Sequence, residues 1–555
     1  MIRITQLKLN YRHTEDDMMA KIAGTLRIHV QDIESYKIVR RSIDARQRGA
    51  DQGQILFIYV VDVLVKNEKK CLARNKNKNV SQVTEKKYQF PVTGTQMLMH
   101  RPVIVGSGPA GLFCGLMLAR AGYRPLMIER GEDVEARTKT VDHFWKDGKL
   151  NTESNVQFGE GGAGTFSDGK LGTLVKDKTG RHKKVLEIFV EAGADPEILY
   201  VNKPHVGTDV LKEVVRNIRN EIIRLGGEVL FNTKFNDIKI VDGVVQSIEA
   251  ISEGMSRWID TRVLILAPGH SARDTFEMLY TRHIPMTQKA FAIGVRMEHP
   301  QTMVNLSQYG IAKDDILPAA DYKLTYETTK GRHVYTFCMC PGGYVVNASS
   351  EVGMTAVNGM SYHDRGSANA NSAVIVNVTP EDFASDHPLA GVEFQRKWEK
   401  ACYEAAGGQP LIPVQLFKDF KEGRVSEAYE GVEPLHKGNN VFADLNTCLP
   451  EFVCESLVEG VEAFSHKIKG YDRGDALMSG IETRTSSPLR IQRDDFMQSE
   501  IRGLYPCGEG AGYAGGITSA AIDGIRVAEA VAAVYAPFEK NQTPYHASAN
   551  QVLTF

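Results

Sequence analysis

The stretch that decides the fold is VIVGSGPAGLFCGLMLARAGYRPLMIERG, from Val103 to Gly131. A short apolar segment, Pro102 to Val105, runs into a glycine-rich turn. A helical stretch follows from Ala110 to Ala121, and Arg124 to Ile128 predicts a second strand. Together they predict a βαβ unit of about 30 residues, with GxGxxG in its first turn.

Each glycine of this motif has a different expected task. Gly106 permits the tight turn out of the strand, Gly108 lets the backbone approach a pyrophosphate, and Gly111 lets the helix pack closely on the strand. The pyrophosphate then lies at the helix N-terminus, where free N–H groups and the dipole favour negative charge. Glu129, 18 residues after Gly111, is placed to accept hydrogen bonds from adenosine ribose hydroxyls. The contacts expected from this unit are Gly106, Ser107, Gly108, Pro109, Ala110, Gly111, Glu129 and Arg130.

Two later segments favour FAD over NAD. Leu264 to His270 reads LILAPGH, a buried strand that ends in a turn of small residues. The stretch LYPCGEGAGYAGGITSAAIDGIRVAEAV, from Leu504 to Val531, predicts a strand running toward the flavin and a helix from Thr518 to Tyr535. That helix would direct its positive end at the N1/O2 side of the flavin. The contacts expected here are Ala267, Pro268, Gly269, Gly508, Glu509, Gly515, Gly516, Ile517 and Thr518.

Further motifs extend over nearly the whole chain. They are RRSIDAR (Arg40 to Arg46), VQFGEGGAGTFSDGKL (Val156 to Leu171), KAFAIGVRMEHPQ (Lys289 to Gln301), CMCPGGYVVNA (Cys338 to Ala348), ETRTSSPLRI (Glu482 to Ile491) and CGEGAGYAGGI (Cys507 to Ile517). In these the chain resembles a bacterial family of NAD(FAD)-utilising dehydrogenases, within the glutathione-reductase-like group of FAD proteins. The resemblance implies the cofactor and the fold, not the substrate. Pro268 stands where that wider group usually has Thr, and Glu509 stands where it usually has Asp.

Three sites of polar residues are candidates for the chemistry. The loop Gly159 to Asp168 resembles loops that line the pyrophosphate and flavin in such proteins, so Gly161, Gly162, Gly164 and Thr165 are expected near the cofactor and Lys170 near the flavin. Arg484 could bind an anionic substrate or stabilise the charge of the reduced flavin, or it could belong to a segment of structural salt bridges. His270 could act as a general acid or base, or make a structural hydrogen bond.

The predicted architecture is α/β. A Rossmann-like, three-layer FAD domain is interrupted by an inserted α+β substrate or cap domain and preceded by a small α+β, ferredoxin-like domain. The predicted ranges are 1–95 for the N-terminal domain, 100–285 and 473–555 for the FAD domain, and 286–472 for the insertion. Residues 1–95 are predicted as strand, helix, strand, strand, helix, strand, with an exposed stretch at Lys66 to Asn79 and a linker at Pro91 to Met99.

Charge and composition narrow the functional classes. Residues 1–95 contain 18 Lys and Arg against 10 Asp and Glu, whereas the whole chain has a net charge of −2. The basic N-terminal domain could therefore bind an acidic protein partner. Few aromatic residues accompany its basic residues, so binding of nucleic acid is not expected. The chain lacks a run of about 18 apolar residues and a signal peptide, which favours a cytoplasmic protein without membrane contact.

Cysteine spacing gives neither a metal site nor a disulfide framework. The eight cysteines include no CxxC and no zinc spacing, so no metal is expected. Cys338 and Cys340 form a CxC that could act as a redox dithiol exchanging with the flavin. Its spacing does not match the CxxC of disulfide reductases, and alternation along a strand would direct the two thiols to opposite faces. The chain has no second GxGxxG, so NAD(P)H would act as a transient electron donor without a Rossmann domain of its own.

The sequence therefore predicts an FAD-dependent oxidoreductase. Hydride would pass between a small-molecule substrate and flavin N5, with FAD bound non-covalently. Two alternatives remain open at this point. One is a flavoenzyme that acts on RNA or on a protein docked by the N-terminal domain, and the other is a flavin-binding sensor without enzymatic activity. The oligomeric state does not follow from the sequence.

Overall fold

The N-terminal part of the chain forms a four-stranded antiparallel sheet covered by two helices. A computed structural model of the protein describes residues 1–46, 55–84 and 87–539, so the predicted C-terminal range 473–555 extends beyond the described residues. The elements here are β1 (Ile2–Asn10), α1 (Glu15–Leu26), β2 (Ile33–Asp44), β3 (Leu56–Val65), α2 (Glu68–Arg74) and β4 (Val80–Gln82). The strand order is β2-β3-β1-β4. The predicted order of elements is confirmed, although the stretch expected to be exposed contains α2, whose Cys71 is buried.

The segment predicted as a linker is docked on the end of the chain. The N–H of Gly94 donates to the carbonyl of Ala532, and that of Gln96 to Val534. A Cβ atom at Gly94 would lie 2.2 Å from the carbonyl oxygen of Val534, so only glycine permits this close approach. The buried side chain of Leu98 joins the core beneath. The segment before the parallel sheet and the end of the last helix therefore pack against each other.

A five-stranded parallel sheet forms the centre of the second region. Its first elements are β5 (Val103–Val105), α3 (Pro109–Arg120), β6 (Leu126–Ile128), α4 (Val134–Asp147), α5 (Arg181–Glu191), α6 (Thr208–Arg224) and β7 (Glu228–Leu230). Strands β5 and β6 are short, apolar and buried along their whole length, as strands of a sheet that is covered on both faces must be. The βαβ unit predicted from Val103 to Gly131 is present.

A three-stranded antiparallel sheet follows and then returns the chain to the parallel sheet. These elements are β8 (Thr233–Val241), β9 (Val244–Ser252), β10 (Met255–Asp260), β11 (Leu264–Leu266) and α7 (Arg273–Thr281). Strand β11 lies beside β5, parallel to it. It closes the first part of the parallel sheet.

The segment that follows, predicted as an inserted domain and called by that name below, contains a seven-stranded, mainly antiparallel sheet. Its elements begin with β12 (Met286–Gln288), β13 (Phe291–Pro300), α8 (Gln301–Tyr309), β14 (Thr325–Glu327), β15 (His333–Cys340), β16 (Tyr344–Asn347), β17 (Val357–Met360) and β18 (Asn369–Val378). They continue with α9 (Ala390–Ala405), β19 (Ile412–Leu416), α10 (Phe417–Glu422), β20 (His436–Lys437), β21 (Asn440–Phe442), α11 (Glu451–Phe464) and β22 (Leu477–Glu482). The strand order of the large sheet is β14-β15-β18-β13-β22-β19-β21.

The boundary predicted at residue 472 falls inside this domain. Strand β22 lies after that boundary, yet it is hydrogen-bonded between β13 and β19. The chain leaves the domain through β23 (Leu489–Ile491), which pairs with the entering strand β12. The strand through which the chain enters the domain and the strand through which it leaves therefore lie side by side. The insertion ends after Glu482 rather than at 472. The prediction failed because no change in composition marks this exit.

The chain then completes the parallel sheet. Strand β24 (Leu504–Pro506) pairs with β11, and α12 (Ile517–Val534) packs along α3. The order of the parallel sheet is β24-β11-β5-β6-β7, with β5 in the middle. Among the described residues, no helix is both long enough and apolar enough to cross a bilayer. In parallel α/β sheets, ligands bind beyond the carboxyl ends of the strands.

Candidate functional site

The motif after β5 contains three glycines. At two of them close packing leaves no room for a side chain, whereas at the third there is room for one. A Cβ at Gly106 would lie 2.2 Å from the carbonyl oxygen of Ala267, and one at Gly111 would lie 1.9 Å from the carbonyl oxygen of Gly106. A Cβ at Gly108 would come no closer than 3.9 Å to its nearest neighbour, Gly162 Cα. Gly108 is the N-cap of α3, and no side chain caps this helix. The start of α3 is therefore open to an anion.

Glu129, at the end of β6, is held by four donors from the protein. Its Oε2 accepts from the N–H and the hydroxyl of Ser107, both at 2.8 Å. Its Oε1 accepts from the N–H of Gly131 at 3.0 Å and of Gly159 at 3.1 Å. The acid thus ties three loops together. Its contact with a ribose stays a prediction and would require a ribose hydroxyl to share or replace the Ser107 hydroxyl.

Arg130 is engaged by two carboxylates. Its Nη1 and Nη2 donate to Asp274, each at 2.9 Å, and its Nε donates to Glu153 at 2.8 Å. The guanidinium lies 4.3 Å from the ring centre of Phe158. These contacts fix the side chain beside the turn, and its predicted contact with the cofactor is not tested by this geometry.

The glycine-rich loop from residue 159 to 168 connects the starts of α3 and α12. A Cβ at Gly162 would lie 3.1 Å from Gly108 Cα, and one at Gly164 would lie 3.1 Å from Cγ1 of Ile517. Both helix starts therefore touch the same loop. This is the arrangement that a cofactor extending from one helix to the other requires.

Two other residues of this loop are held within it. The N–H of Gly161 donates to the carbonyl of Ser107 at 2.9 Å. Thr165 is buried, and its hydroxyl donates to the carbonyl of Glu160 at 3.0 Å. The Thr165 hydroxyl therefore makes a hydrogen bond within the loop, and its contact with a cofactor stays a prediction.

The C-terminal motif packs on both earlier turns. The N–H of Gly508 donates to Oδ2 of Asp523 at 2.8 Å, and a Cβ there would lie 2.6 Å from Cβ of Ala110. A Cβ at Gly510 would lie 2.4 Å from the carbonyl oxygen of Gly269. The three motifs predicted to hold a dinucleotide, which span more than four hundred residues of sequence, thus meet at one edge of the sheet.

The start of α12 is exposed and has no cap. No heavy atom would lie within 4 Å of a Cβ at Gly515 or Gly516, and no side chain caps the helix at Gly516. The hydroxyl of Thr518 donates to the carbonyl of Leu171 at 2.8 Å. The open N-terminus can face a negatively charged group, while Thr518 secures it to the loop.

His270 lies at the same edge, after the turn formed by Ala267 and Pro268. Its Nδ1 lies 3.3 Å from Oε1 of Glu509. Its Nε2 is buried and has no hydrogen-bond partner among the described residues. His270 and Glu509, which belong to two separate motifs of the sequence, are therefore in contact, and the second ring nitrogen remains available to a ligand.

Lys170 lies where the glycine-rich loop meets the inserted domain. Its ammonium donates to Oδ2 of Asp168 at 2.7 Å and to the carbonyl of Met339. Burial opposes its charge, but the neighbouring Asp168 raises the pKa of Lys170. It is thus a cation that bridges two domains, and its contact with a flavin stays a prediction.

Arg484 lies in a buried ion-pair cluster. Its Nε and Nη2 donate to Glu399 at 3.0 and 2.8 Å, and its Nη1 donates to Ser350 and Ser271. Arg273 pairs with the same carboxylate. The side chain of Arg484 is 1% exposed. This geometry favours the alternative of a structural salt bridge, and the contact of Arg484 with a substrate or flavin stays a prediction.

The two cysteines of the CxC motif, Cys338 and Cys340, lie beside Lys170. Met339, whose carbonyl accepts from Lys170, separates Cys338 from Cys340. A hydrogen bond from the Cys340 thiol lowers the pKa of Cys338 to about 5. The only sign in the sequence was a CxC before Pro341, which is not specific.

The residues at this edge fit a flavin dinucleotide. Two helices begin there with glycine and without a side-chain cap, which suits the pyrophosphate at α3 and the negative charge of a reduced flavin at α12. Gly515 and Gly516 leave room for a flat ring system. The unpartnered Nε2 of His270 offers one further polar contact.

Three family descriptions match parts of the chain. Residues 290–485 match "FAD-dependent protein, C-terminal domain-like". Residues 101–141 match "FAD binding domain", and residues 1–64 match a domain of unknown function, DUF8436. The first match falls on the inserted domain and the second on β5, α3 and β6.

Similarity to whole proteins is of two kinds. Among solved structures, a triple mutant of the flavin-dependent brominase Bmp2 has 13% identity and a TM-score of 0.35, with 78% of this chain and 80% of that chain covered. Glycine oxidase from Bacillus cereus has 11% identity and a TM-score of 0.32, with 78% and 94% covered. These TM-scores are too low to establish a common fold.

A Clostridium beijerinckii protein named "Uncharacterized protein" is 51% identical over 531 residues, which are 95% of this chain and 98% of that protein. The chain therefore belongs to the same family as the Clostridium beijerinckii protein, and its two FAD-type domains identify it as an FAD-dependent protein.

Proposed function

We propose that the chain is an oxidoreductase that transfers hydride between non-covalently bound FAD and a small-molecule substrate. The observation that carries the proposal is the meeting of two uncapped helix starts, α3 at Gly108 and α12 at Gly516, across the loop 159–168. When bound, FAD supplies a two-electron redox couple. NAD(P)H is the proposed transient donor.

The protein's own residues then bind and orient the reactants. The N-terminus of α3 binds the pyrophosphate, and the N-terminus of α12 stabilises negative charge on the reduced ring system. Nδ1 of His270 donates to Glu509, which fixes the ring, and the unpartnered Nε2 is left as the acceptor that faces the reactants. The inserted domain covers the substrate and excludes water.

The finer architecture is part of the same proposal. The strand order of the parallel sheet is β24-β11-β5-β6-β7, and β5, which comes first in the sequence, lies in the centre. This order supports a Rossmann-like domain of the glutathione-reductase-like group. The N-terminal order β2-β3-β1-β4 with two crossing helices supports a ferredoxin-like domain. Its excess of basic residues supports a protein partner that carries acidic groups.

An anaerobic half-reaction tests the proposal. The full chain, loaded with FAD, is mixed with NADH or NADPH while the oxidised flavin absorbance is followed. The expected result is bleaching that is slower in His270→Gln, because the imidazole Nε2 that faces the reactants is lost. His283→Asn, at an exposed histidine after α7, is the matched control and keeps the wild-type rate. A flavin that neither nucleotide reduces contradicts the proposed donor, and wild-type rates in His270→Gln contradict the proposed role of His270.

A further inference from the structure

The end of β15 brings two cysteine side chains together. Between Phe337 and Cys340 the register against β18 shifts, and Cys338 has a positive φ of 42°. The Sγ of Cys340 lies 3.2 Å from the carbonyl oxygen of Cys338. Cys338 is partly exposed, whereas Cys340 is fully buried. Of the two residues, Cys338 is therefore the one nearer to solvent.

Charged groups on three elements face this pair. Lys170 donates to the carbonyl between the two cysteines, and Nη1 of Arg296 lies 3.1 Å from the carbonyl oxygen of Cys338 and 3.8 Å from Sγ of Cys340. Asp168 and Glu482 are the opposing acids, and Glu482 is paired with Arg296.

The two thiols differ in acidity. A hydrogen bond from the Cys340 thiol, supported by Lys170 and Arg296, lowers the pKa of Cys338 to about 5. Burial raises the pKa of Cys340 well above its ordinary value. The lowered pKa favours the thiolate at Cys338 and the raised pKa favours the thiol at Cys340, and the thiolate is the reactive form.

The pair lies next to the loop that holds the start of α12. Lys170 contacts the cysteines through Met339, and the next residue, Leu171, accepts the hydrogen bond from Thr518. A second close pair, Cys402 and Cys448, differs in its surroundings. Both of its members are fully buried, and burial raises the pKa of Cys402.

We propose that Cys338 and Cys340 form a reversible dithiol–disulfide pair that reduces low-molecular-weight disulfides. The Cys338 thiolate attacks one sulfur of the disulfide, forms a mixed disulfide and releases the other sulfur as a thiolate. Cys340 then gives up its proton, attacks Sγ of Cys338 and releases the second thiolate. Two protons, one of them from Cys340, balance the two thiols released, and the electron pair passes from the protein to the disulfide.

Return of the pair to the dithiol needs two electrons and two protons. Reduced FAD is their source, and this half of the cycle rests on the proposed function. The half that reacts with the disulfide is independent of any cofactor. The two halves can therefore fail separately.

The first test uses the full chain without added FAD. It is equilibrated in buffers of graded glutathione and glutathione disulfide ratio, quenched in acid, alkylated and digested for mass spectrometry. The expected product is a peptide that has lost two hydrogen atoms between Cys338 and Cys340, reversibly, while Cys402 and Cys448 stay alkylated. Dithiols that persist at every ratio, or equal oxidation of both pairs, would overturn the proposal.

Single variants separate the roles of the two thiols. Cys340→Ser is expected to trap glutathione on Cys338, whereas Cys338→Ser leaves Cys340 unmodified. The alkylation rate of Cys338 in Cys340→Ser and in the wild type is followed against pH. The wild type is expected to have its inflection near pH 5, and both Cys340→Ser and Lys170→Gln to move it upward, with Lys170→Arg close to the wild type. An inflection unmoved by either change would contradict the proposed thiolate.

The second test addresses the return of electrons. Anaerobic reductive titration of the FAD-loaded protein, oxidised first with glutathione disulfide, is expected to consume one electron pair more than Cys338→Ser. Equal consumption would overturn the transfer between flavin and thiols. If the chain binds no FAD but still forms the disulfide, the proposed function is contradicted. The proposed reaction of Cys338 and Cys340 with disulfides is then still supported.

Discussion

The hydroxyl of Thr518, in the first turn of α12, donates a hydrogen bond of 2.8 Å to the carbonyl of Leu171. The two residues are 347 positions apart in the chain. The bond ties the helix that would face the flavin ring to the loop that ends at Lys170. It thereby joins the proposed flavin site to the cysteine pair, because Lys170 contacts Met339 on its other side.

Loss of this bond should weaken cofactor binding without unfolding the protein. In Thr518→Val the carbonyl of Leu171 loses its donor, which costs about 1 kcal/mol. We expect FAD to bind about fivefold more weakly, measured by flavin fluorescence titration. Thr518→Ser keeps the hydroxyl and should bind like the wild type. Equal affinity in all three proteins would show that the loop does not position α12 for the cofactor.

Gly108 offers a test that separates cofactor binding from stability. Its φ of −69° and the free space around it accept a side chain, and Asp is a preferred N-cap. Gly108→Asp should therefore leave the thermal midpoint unchanged or higher, yet abolish FAD binding through repulsion of the pyrophosphate. Gly108→Asn caps the helix with similar volume and no charge, and should retain more FAD than Gly108→Asp. Undiminished FAD in Gly108→Asp would remove the pyrophosphate from the start of α3.

The buried carboxyl of Glu160 predicts a dependence of stability on pH. Burial raises the pKa of Glu160 to about 7, against an ordinary value of 4.5. A raised pKa in the folded state means that stability is fully present below about pH 4.5 and is lost as the pH rises through 7. Glu160→Gln mimics the protonated form and should be more stable than the wild type at pH 8, by up to about 3 kcal/mol, with little difference at pH 5. The measurement is the free energy of unfolding in urea at the two pH values.

The control for this prediction is Glu500→Gln, at an exposed glutamate. It should change stability equally little at both pH values. The ion pair of Glu160 with Arg219, 3.1 Å apart, acts in the opposite direction. If Glu160→Gln is less stable than the wild type at pH 8, this ion pair outweighs the cost of burial and the prediction is wrong.

Arg484 should contribute to stability more than to chemistry. Arg484→Ala leaves Glu399 buried with one cation fewer, and breaking a buried pair costs about 3–5 kcal/mol. We expect a much lower urea midpoint, with unchanged FAD affinity in the fraction that stays folded. Arg490→Ala, at an exposed arginine in the same segment, should cost less than about 1 kcal/mol. A stable Arg484→Ala protein whose flavin is reduced slowly would restore the role in substrate or flavin contact.

Elements with strong local patterns were predictable from the sequence. The helix predicted from Ala110 to Ala121 is observed as Pro109–Arg120, and that from Thr518 to Tyr535 as Ile517–Val534. In both, glycine marks the start and a continuous apolar face extends through the helix. The order of the three FAD motifs along the chain also allowed their meeting at one edge to be foreseen, because carboxyl ends of parallel strands share an edge.

Features that depend on distant partners were not predictable. Glu399, the partner of Arg484, lies on α9, and nothing near either residue announces the pair. The exit from the inserted domain after Glu482 follows from pairing of β22 with β13, nearly two hundred residues earlier. The closeness of Cys338 and Cys340 to Lys170 depends on the register shift in β15. Each of these is a contact across the fold rather than a local pattern.

The most direct measurement is the FAD content of the full chain. The purified protein is incubated with FAD, freed of unbound cofactor and denatured, and the released flavin is quantified against protein concentration. The account predicts about one FAD per wild-type chain and almost none for Gly108→Asp, with both proteins folded by circular dichroism. A folded wild-type chain that retains no FAD would contradict the central claim.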